Sequence, residues 1–226
     1  MKKVNIYVVR HGQTQYNLKN IVQGRCDSEL TENGIFQAKC CGYGLRNIKF
    51  SSAYSSSLSR QYNTAEIILR ENLFANNLKI TKKEYLREID FGTYDGKINN
   101  IMFAPIFDYL HLEYGDFKNL EKEMTFYDIA QFLQKTDDTM ETYASVEKRM
   151  HDGIIEICKQ ANDEDNILLV TSGCSLDCLI YSLSQIKCPR LADNCSVSLI
   201  EYDNGNFNIK SFDDISYRQQ GQEYYE

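Results

Sequence analysis

The run Ile167-Leu168-Leu169-Val170-Thr171 constrains the fold more than any other stretch of the chain. A strand buried on one face alternates apolar with polar residues. An unbroken apolar run is buried on both faces, as in a parallel sheet covered by helices on either side. Val4, Ile6, Val8 and Val9 make a second such strand near the N-terminus, closed by a turn at Gly12. Residues 50–55 and 78–84 read as further strands. Residues 197–202 and 207–212 flank Asp203-Asn204-Gly205-Asn206, a hairpin signal.

Helical periodicity fills the gaps. Thr31 caps a helix carrying Ile35, Ala38, Cys41 and Leu45 inward. A second helix over 58–69, capped by Ser57 or Ser59, turns Leu58, Ala65, Ile68 and Leu69 inward. Others cover 143–161 and 173–183. Residues 13–30 read as a loop, and no element is read beyond 213. Strands alternating with helices predict an α/β fold, three-layered around a mainly parallel sheet. A chain of 226 residues suits one domain over 1–226. Residues 97–140 differ, with Phe103, Phe107, Tyr109, Phe117, Phe126 and Phe132 in broken helical patterns. They are expected to form a helical insertion lying over a pocket as a lid; ordinary packing helices are the competing reading.

Composition excludes several classes of function. The net charge of −7, with a pI near 5.1 and no basic stripe, argues against nucleic-acid binding. No apolar run is long enough to span a bilayer and the first residues do not form a signal peptide, so no membrane role and a cytoplasmic location are expected. Eight cysteines include no Cys-x-x-Cys pair and only three histidines accompany them, which argues against zinc. Without a secretory signal they are read as reduced, buried thiols. Neither metal nor other cofactor is expected, and nothing in the sequence sets an oligomeric state.

Chemistry gathers at Arg10-His11-Gly12-Gln13-Thr14, with Asn17 just beyond. Arg10 and His11 fall at the C-terminal end of a strand, where open α/β sheets place their sites. A planar, permanently charged fork beside a nitrogen nucleophile suits phosphate. Arg60 falls in the first turn of its helix, where its side chain and nearby backbone N–H groups can face an anion.

These segments together resemble the histidine phosphatase superfamily, also called phosphoglycerate mutase-like. The likeness rests on Arg10 to Thr14 with Asn17, Gln23-Gly24, Leu30-Thr31, and Gly34. It continues through Ser55 to Ala65, Leu86-Arg87-Glu88 to Gly92, Asp95-Gly96, and Asp193-Asn194 before Val197. The resemblance implies that His11 attacks a phosphoryl group and forms a phosphohistidine that water hydrolyses. It assigns the phosphoryl oxygens to Arg10 and Arg60, a neutral donor to Asn17, and protonation of the leaving oxygen to Glu88. A small phosphorylated substrate, or phosphate itself, is the partner it implies.

One position departs from the family pattern. Where members usually carry a second histidine and then glycine, this chain has Ser172-Gly173 at the end of its clearest strand. A serine hydroxyl donates one hydrogen bond but carries no charge, and losing one such group typically costs ~3 kcal/mol of transition-state stabilisation. Replacing Ser172 by histidine is expected to restore the donor if there is room, with Cys174 or its neighbours most able to fill the space. A phosphatase weakened or silenced by Ser172, a phosphate-ester-binding pseudoenzyme, an engineered trap and a mutase-type phosphotransferase all stay open.

Overall fold

The structure, a computed structural model, describes residues 2–226. Six strands form one sheet: β1 (Lys3–Arg10), β2 (Phe50–Ser55), β3 (Ile80–Lys82), β4 (Asp165–Thr171), β5 (Val197–Asp203) and β6 (Asn206–Asp214). Their spatial order is β3-β2-β4-β1-β5-β6. The first four in that order are parallel; β5 runs antiparallel to β1, and β6 to β5. β1 and β4 lie side by side at the centre. Val4, Ile6, Val8, Ile167 and Leu169 enter one core, while Tyr7, Val9, Leu168 and Val170 enter the other. That two-sided burial is what the unbroken apolar run encodes. The strand expected over 78–84 contracts to the three residues of β3, an edge strand whose Thr81 and Lys82 are exposed.

Nine α-helices are present among the described residues, with two short 3-10 turns at Glu84–Leu86 and Gly92–Tyr94: α1 (Gln15–Leu18), α2 (Glu32–Gly44), α3 (Ser59–Glu71), α4 (Asn99–Leu110), α5 (Phe117–Glu123), α6 (Phe126–Leu133), α7 (Tyr143–Gln160), α8 (Gly173–Ser184) and α9 (Ser216–Tyr225). α2 and α3 cover one face of the sheet, with α9 packed on α2; α4 to α8 cover the other. The helices that follow β1 and β4 therefore sit on opposite faces. A crevice opens between these strand ends, the position at which doubly wound sheets bind ligands.

Several local expectations need correction. α1 sits inside the expected 13–30 loop, closed by a capping box between Thr14 and Asn17. Thr31 caps α2 as expected, but Ile35 is 47% exposed, because Gly34 and Ala38 face inward instead. Neither Ser57 nor Ser59 caps α3. The Ser59 N–H donates to the Asp27 carboxylate and the Leu58 N–H to the Ser56 hydroxyl. Leu58 and Leu69 are only half-buried, and the polar Arg60, Gln61 and Thr64 lie fully inside. The unread tail is α9, whose one buried residue is Gly221. A Cβ there would overlap the Cys40 carbonyl, so glycine is what lets α9 sit on the α2 backbone. All eight cysteines are free, and seven are buried. Among the described residues no helix is long and apolar enough to cross a membrane.

Candidate active site

β1 and β4 end in register, with Arg10 opposite Thr171, and the His11 N–H donates to the Thr171 carbonyl at 3.0 Å. The next turn is held from three further directions. The Gly12 N–H donates to Thr64 Oγ1 at 3.0 Å, and Asn194 Nδ2 donates to the His11 carbonyl at 2.8 Å. Gly34 lies so close beneath Gln13 that a Cβ would overlap the Gln13 carbonyl, which seats α2 directly against the turn. His11 Nδ1 is 2.8 Å from the Gly12 carbonyl. A carbonyl only accepts, so Nδ1 carries the proton and Nε2 keeps its lone pair. Burial, then the charges of Arg60 and Arg10, hold the imidazole well below its ordinary pKa of 6.5. His11 is thus a neutral imidazole at pH 7, with the lone pair of Nε2 left free to act as a nucleophile.

Two guanidinium groups flank it. Arg10 Nη1 donates to the Ala192 carbonyl at 2.5 Å, and its Nε is buried with no protein partner. Arg60 is fully buried at the start of α3, but most of its fork faces the loop rather than an anion. Nη2 donates to the Gly24 carbonyl at 2.8 Å; Nη1 donates to the Cys26 carbonyl at 2.8 Å and to Asp27 at 3.1 Å. Its Nε, too, is buried without a partner. The reading of Arg60 as a residue simply facing an anion is corrected: it clamps residues 24–27 and retains one unpaired donor. Buried donors are almost always hydrogen-bonded, so the orphaned Nε–H of Arg10, which lines one cavity with His11, points to an anion as its acceptor.

Glu88 is buried at the N-terminus of α8. Its Oε1 accepts from the Ile89 N–H, the Ser175 N–H and the Ser175 hydroxyl, at 2.9, 2.8 and 3.0 Å. Oε2 accepts only from the Cys174 N–H, at 3.0 Å. The carboxylate therefore caps a helix from another part of the chain while Ser172, the N-cap residue, makes no side-chain cap bond. Arg149 fixes the segment that carries Glu88. Its Nη1 donates to the carbonyls of Tyr85 and Arg87 at 2.7 and 2.8 Å, and its Nη2 to that of Glu88 at 3.2 Å. The same guanidinium grips Glu141 through Nε at 2.8 Å. Burial would raise the Glu141 pKa, but bonds and charge from Arg149 and Arg87 outweigh it and hold it at about 2.

Ser172 directly follows β4 and is fully buried. Gln61 Nε2 donates to its Oγ at 2.5 Å, so Gln61, which was not among the neighbours expected from sequence, lies directly beside Ser172. Gly173 packs against Arg10: a Cβ there would lie 3.3 Å from Nε.

A cavity of about 150 Å³ brings Arg10, His11, Asn17, Glu88 and Gly173 together. Arg60 and Ser172 stand behind its wall. The rest of the lining includes Phe103 from α4 and Phe126 from α6, both in the 97–140 segment expected over a pocket, together with Met102 and Leu191, which sequence reading did not single out. Asn99, Met102 and Phe103 follow i, i+3, i+4 spacing on α4, a signal that was present but read only as a broken helical pattern. Asn194 stood in a recognised segment without a role. Gln61 had no signal, since a helical glutamine reads as solvent-facing. Among the described residues, no group of three or more His, Cys, Asp or Glu side chains is placed to hold a metal ion.

The sequence profile of the histidine phosphatase superfamily (branch 1) matches residues 6–215. The chain belongs to the histidine phosphatase superfamily. It is 30% identical over 209 residues to a protein of Salmonella choleraesuis (strain SC-B67) named "Probable phosphoglycerate mutase GpmB", covering 88% of this chain and 85% of that one. Among solved structures it resembles a phosphoglycerate mutase from Bacillus anthracis str. Sterne, with a TM-score of 0.89 at 28% identity, covering 98% of this chain and 97% of that one. It also resembles a phosphoserine phosphatase from Entamoeba histolytica solved with phosphoserine, with a TM-score of 0.71 at 26% identity, covering 95% and 98%. Superfamily relatives thus carry the names of mutases and of phosphatases.

Proposed function

We propose that this protein is a phosphomonoester hydrolase working through a phosphohistidine on His11. The observation that carries the reading is the pairing, in one cavity, of a neutral His11 with the orphaned Nε donor of Arg10, the Arg60 charge lying close enough to act on His11. His11 Nε2 attacks phosphorus in line, the bond to the ester oxygen breaks, and that oxygen takes its proton from Glu88 Oε2. Water then attacks the phosphohistidine, gives its proton back to Glu88 and releases phosphate, restoring His11. Arg10 and Arg60 take up charge spread over the phosphoryl oxygens, and Asn17 and the Gly173 end of α8 complete the cradle. No step calls for a metal. Ser172 stands for the usual second histidine, and the rate is expected to be lower than that of a full site by roughly 10²–10³.

A second reading, a protein that binds phosphate esters without turning them over, is favoured by one contact: Gln61 Nε2 donates to the buried Ser172 hydroxyl and so ties up the donor-bearing side chain at that position. One assay separates the two. The hydrolase releases nitrophenolate from p-nitrophenyl phosphate and carries an acid-labile phosphoryl group on His11, and both signals disappear in His11→Ala. Tight binding of phosphate with no release in the parent chain supports the second reading. Transfer to 3-phosphoglycerate in preference to water identifies a mutase.

A further inference from the structure

Beside the cavity that holds His11 lies a second cavity of about 100 Å³ between α4, α5 and α6, and Phe103, Phe126 and Leu191 line both. Beyond those three, the outer cavity is lined mainly by apolar groups, including Phe117, Leu120, Met124 and Ile129. The charges along this path are few: the outer cavity holds Glu121 and Arg190, and its one cation is already paired. In the inner cavity Arg10 is the one cation, His11 being neutral, and Glu88 is the one acid. At the outer end Arg190 is paired with Asp193 at 2.9 Å and with Asp213 at 2.5 Å. No lining cation is left to receive a second anionic group beyond the phosphoryl site, and an unpaired buried carboxylate or phosphate is strongly disfavoured. An apolar chain or ring meets aromatic and aliphatic walls throughout.

We infer that the phosphate ester this pocket accepts is that of a neutral, apolar alcohol or phenol, its hydrocarbon body running past Phe103, Phe126 and Leu191 into the outer cavity. The inference rests on the phosphomonoesterase reading for where the phosphoryl group sits. It adds the chemistry of the remainder and disfavours esters bearing a carboxylate or a second phosphate. Asn17, Gln23 and Asn99, the neutral polar side chains of the inner cavity, can meet a hydroxyl or carbonyl near the ester but balance no charge.

The test is calorimetric titration of the intact protein with methyl-, ethyl-, butyl- and hexylphosphonate and with 3-phosphonopropionate. Affinity is expected to rise about fourfold per methylene, giving about two orders of magnitude from ethyl to hexyl. 3-Phosphonopropionate is expected to bind at least tenfold more weakly than butylphosphonate. Phe103→Ala is expected to flatten the dependence on chain length. Equal affinity from ethyl to hexyl, or tighter binding of the carboxylated ligand, overturns the inference, and the parent series alone decides this if the variant does not fold. Phosphate release from hexyl phosphate is measured in parallel. A chain-length gradient without release keeps the apolar groove and refutes hydrolysis; release without a gradient does the reverse.

Discussion

His11 owes its reactivity to where its proton is kept. The Gly12 carbonyl fixes the Nδ1–H tautomer, while burial and two guanidinium charges disfavour a second proton. Its imidazole resonances, assigned by their loss in His11→Ala, are therefore expected to stay unchanged between pH 7 and 5.5 in a histidine-selective NMR titration. Movement over that interval would show an ordinary, protonatable ring. Ser172 invites a second experiment. Because Gln61 occupies the adjacent space, Ser172→His alone is expected to gain little, whereas Gln61→Ala with Ser172→His is expected to raise kcat by about 10², the value of one preorganised donor. The gain must vanish when His11→Ala is added, and equal turnover in parent and double variant refutes Ser172 as the limiting lesion. Arg149 gives a third. Arg149→Met removes the clamp on the Tyr85, Arg87 and Glu88 carbonyls and leaves Glu141 paired with Arg87 alone. It is expected to lower kcat with little change in KM for p-nitrophenyl phosphate, an activated ester, and to lower kcat more for an alkyl phosphate, whose poorer leaving group depends on Glu88 in the proposed mechanism. Equal losses on both substrates would mark a purely structural role. His11, Arg10 and Glu88 were legible because a strand end or a short motif displays them. The orientation of Arg60 was not, since its partners Gly24, Cys26 and Asp27 arrive on a loop more than thirty residues away.

Elements were legible where aliphatic residues carry them and illegible where small or aromatic ones do. β4, α7 and α8 follow their apolar patterns closely. α9 has no aliphatic stripe. It holds to α2 by backbone approach at Gly221 and by tyrosine contacts, with Tyr224 stacked on Tyr43 at 4.1 Å and Lys39 over the Tyr225 ring at 4.1 Å. A polar, tyrosine-containing tail gives no periodic signal for such an interface. Yet α9 reaches the site, because Arg218 Nη1 donates to the Asn194 carbonyl and Asn194 holds the His11 carbonyl. Gly221→Val drives a side chain into the Cys40 backbone and is expected to cost about 1–3 kcal/mol, as overpacking does. For a chain of this length that lowers the melting temperature by roughly 2–12 °C. An unchanged melting temperature would show that α9 contributes little to the fold.

At the scale of the whole molecule, the sheet order places two unusual titrating groups in one core region with opposite pH dependences. β4 hands directly into α8, which presents its N-terminus to Glu88 and buries Asp177 one turn on. Burial raises Asp177 from an ordinary 3.8 to about 6, although its Oδ2 accepts from the Tyr143 hydroxyl at 3.0 Å; Oδ1 has no partner. Between pH 3.8 and 6 the folded chain therefore binds more protons at Asp177 than the unfolded chain does. Its contribution favours folding below that window and is lost as pH rises through 6, by about 3 kcal/mol in all. His11 acts in the other sense. Below pH 6.5 the unfolded chain takes a proton that the buried imidazole refuses, so stability falls with acidification. Between pH 4 and 6 the two slopes oppose each other and largely cancel. Asp177→Asn removes one of them. Its amide nitrogen has no partner at the Oδ1 position, a cost that does not vary with pH, so the slope is the quantity to read. In urea unfolding at pH 5, 6, 7 and 8, the free-energy difference between Asp177→Asn and the parent is expected to shift in favour of the variant as pH rises. The variant's own stability should fall more steeply than the parent's on going from pH 6 to pH 5, because the His11 slope is then unopposed. Parallel curves for variant and parent across this range would mean that Asp177 titrates alike in the folded and unfolded chains.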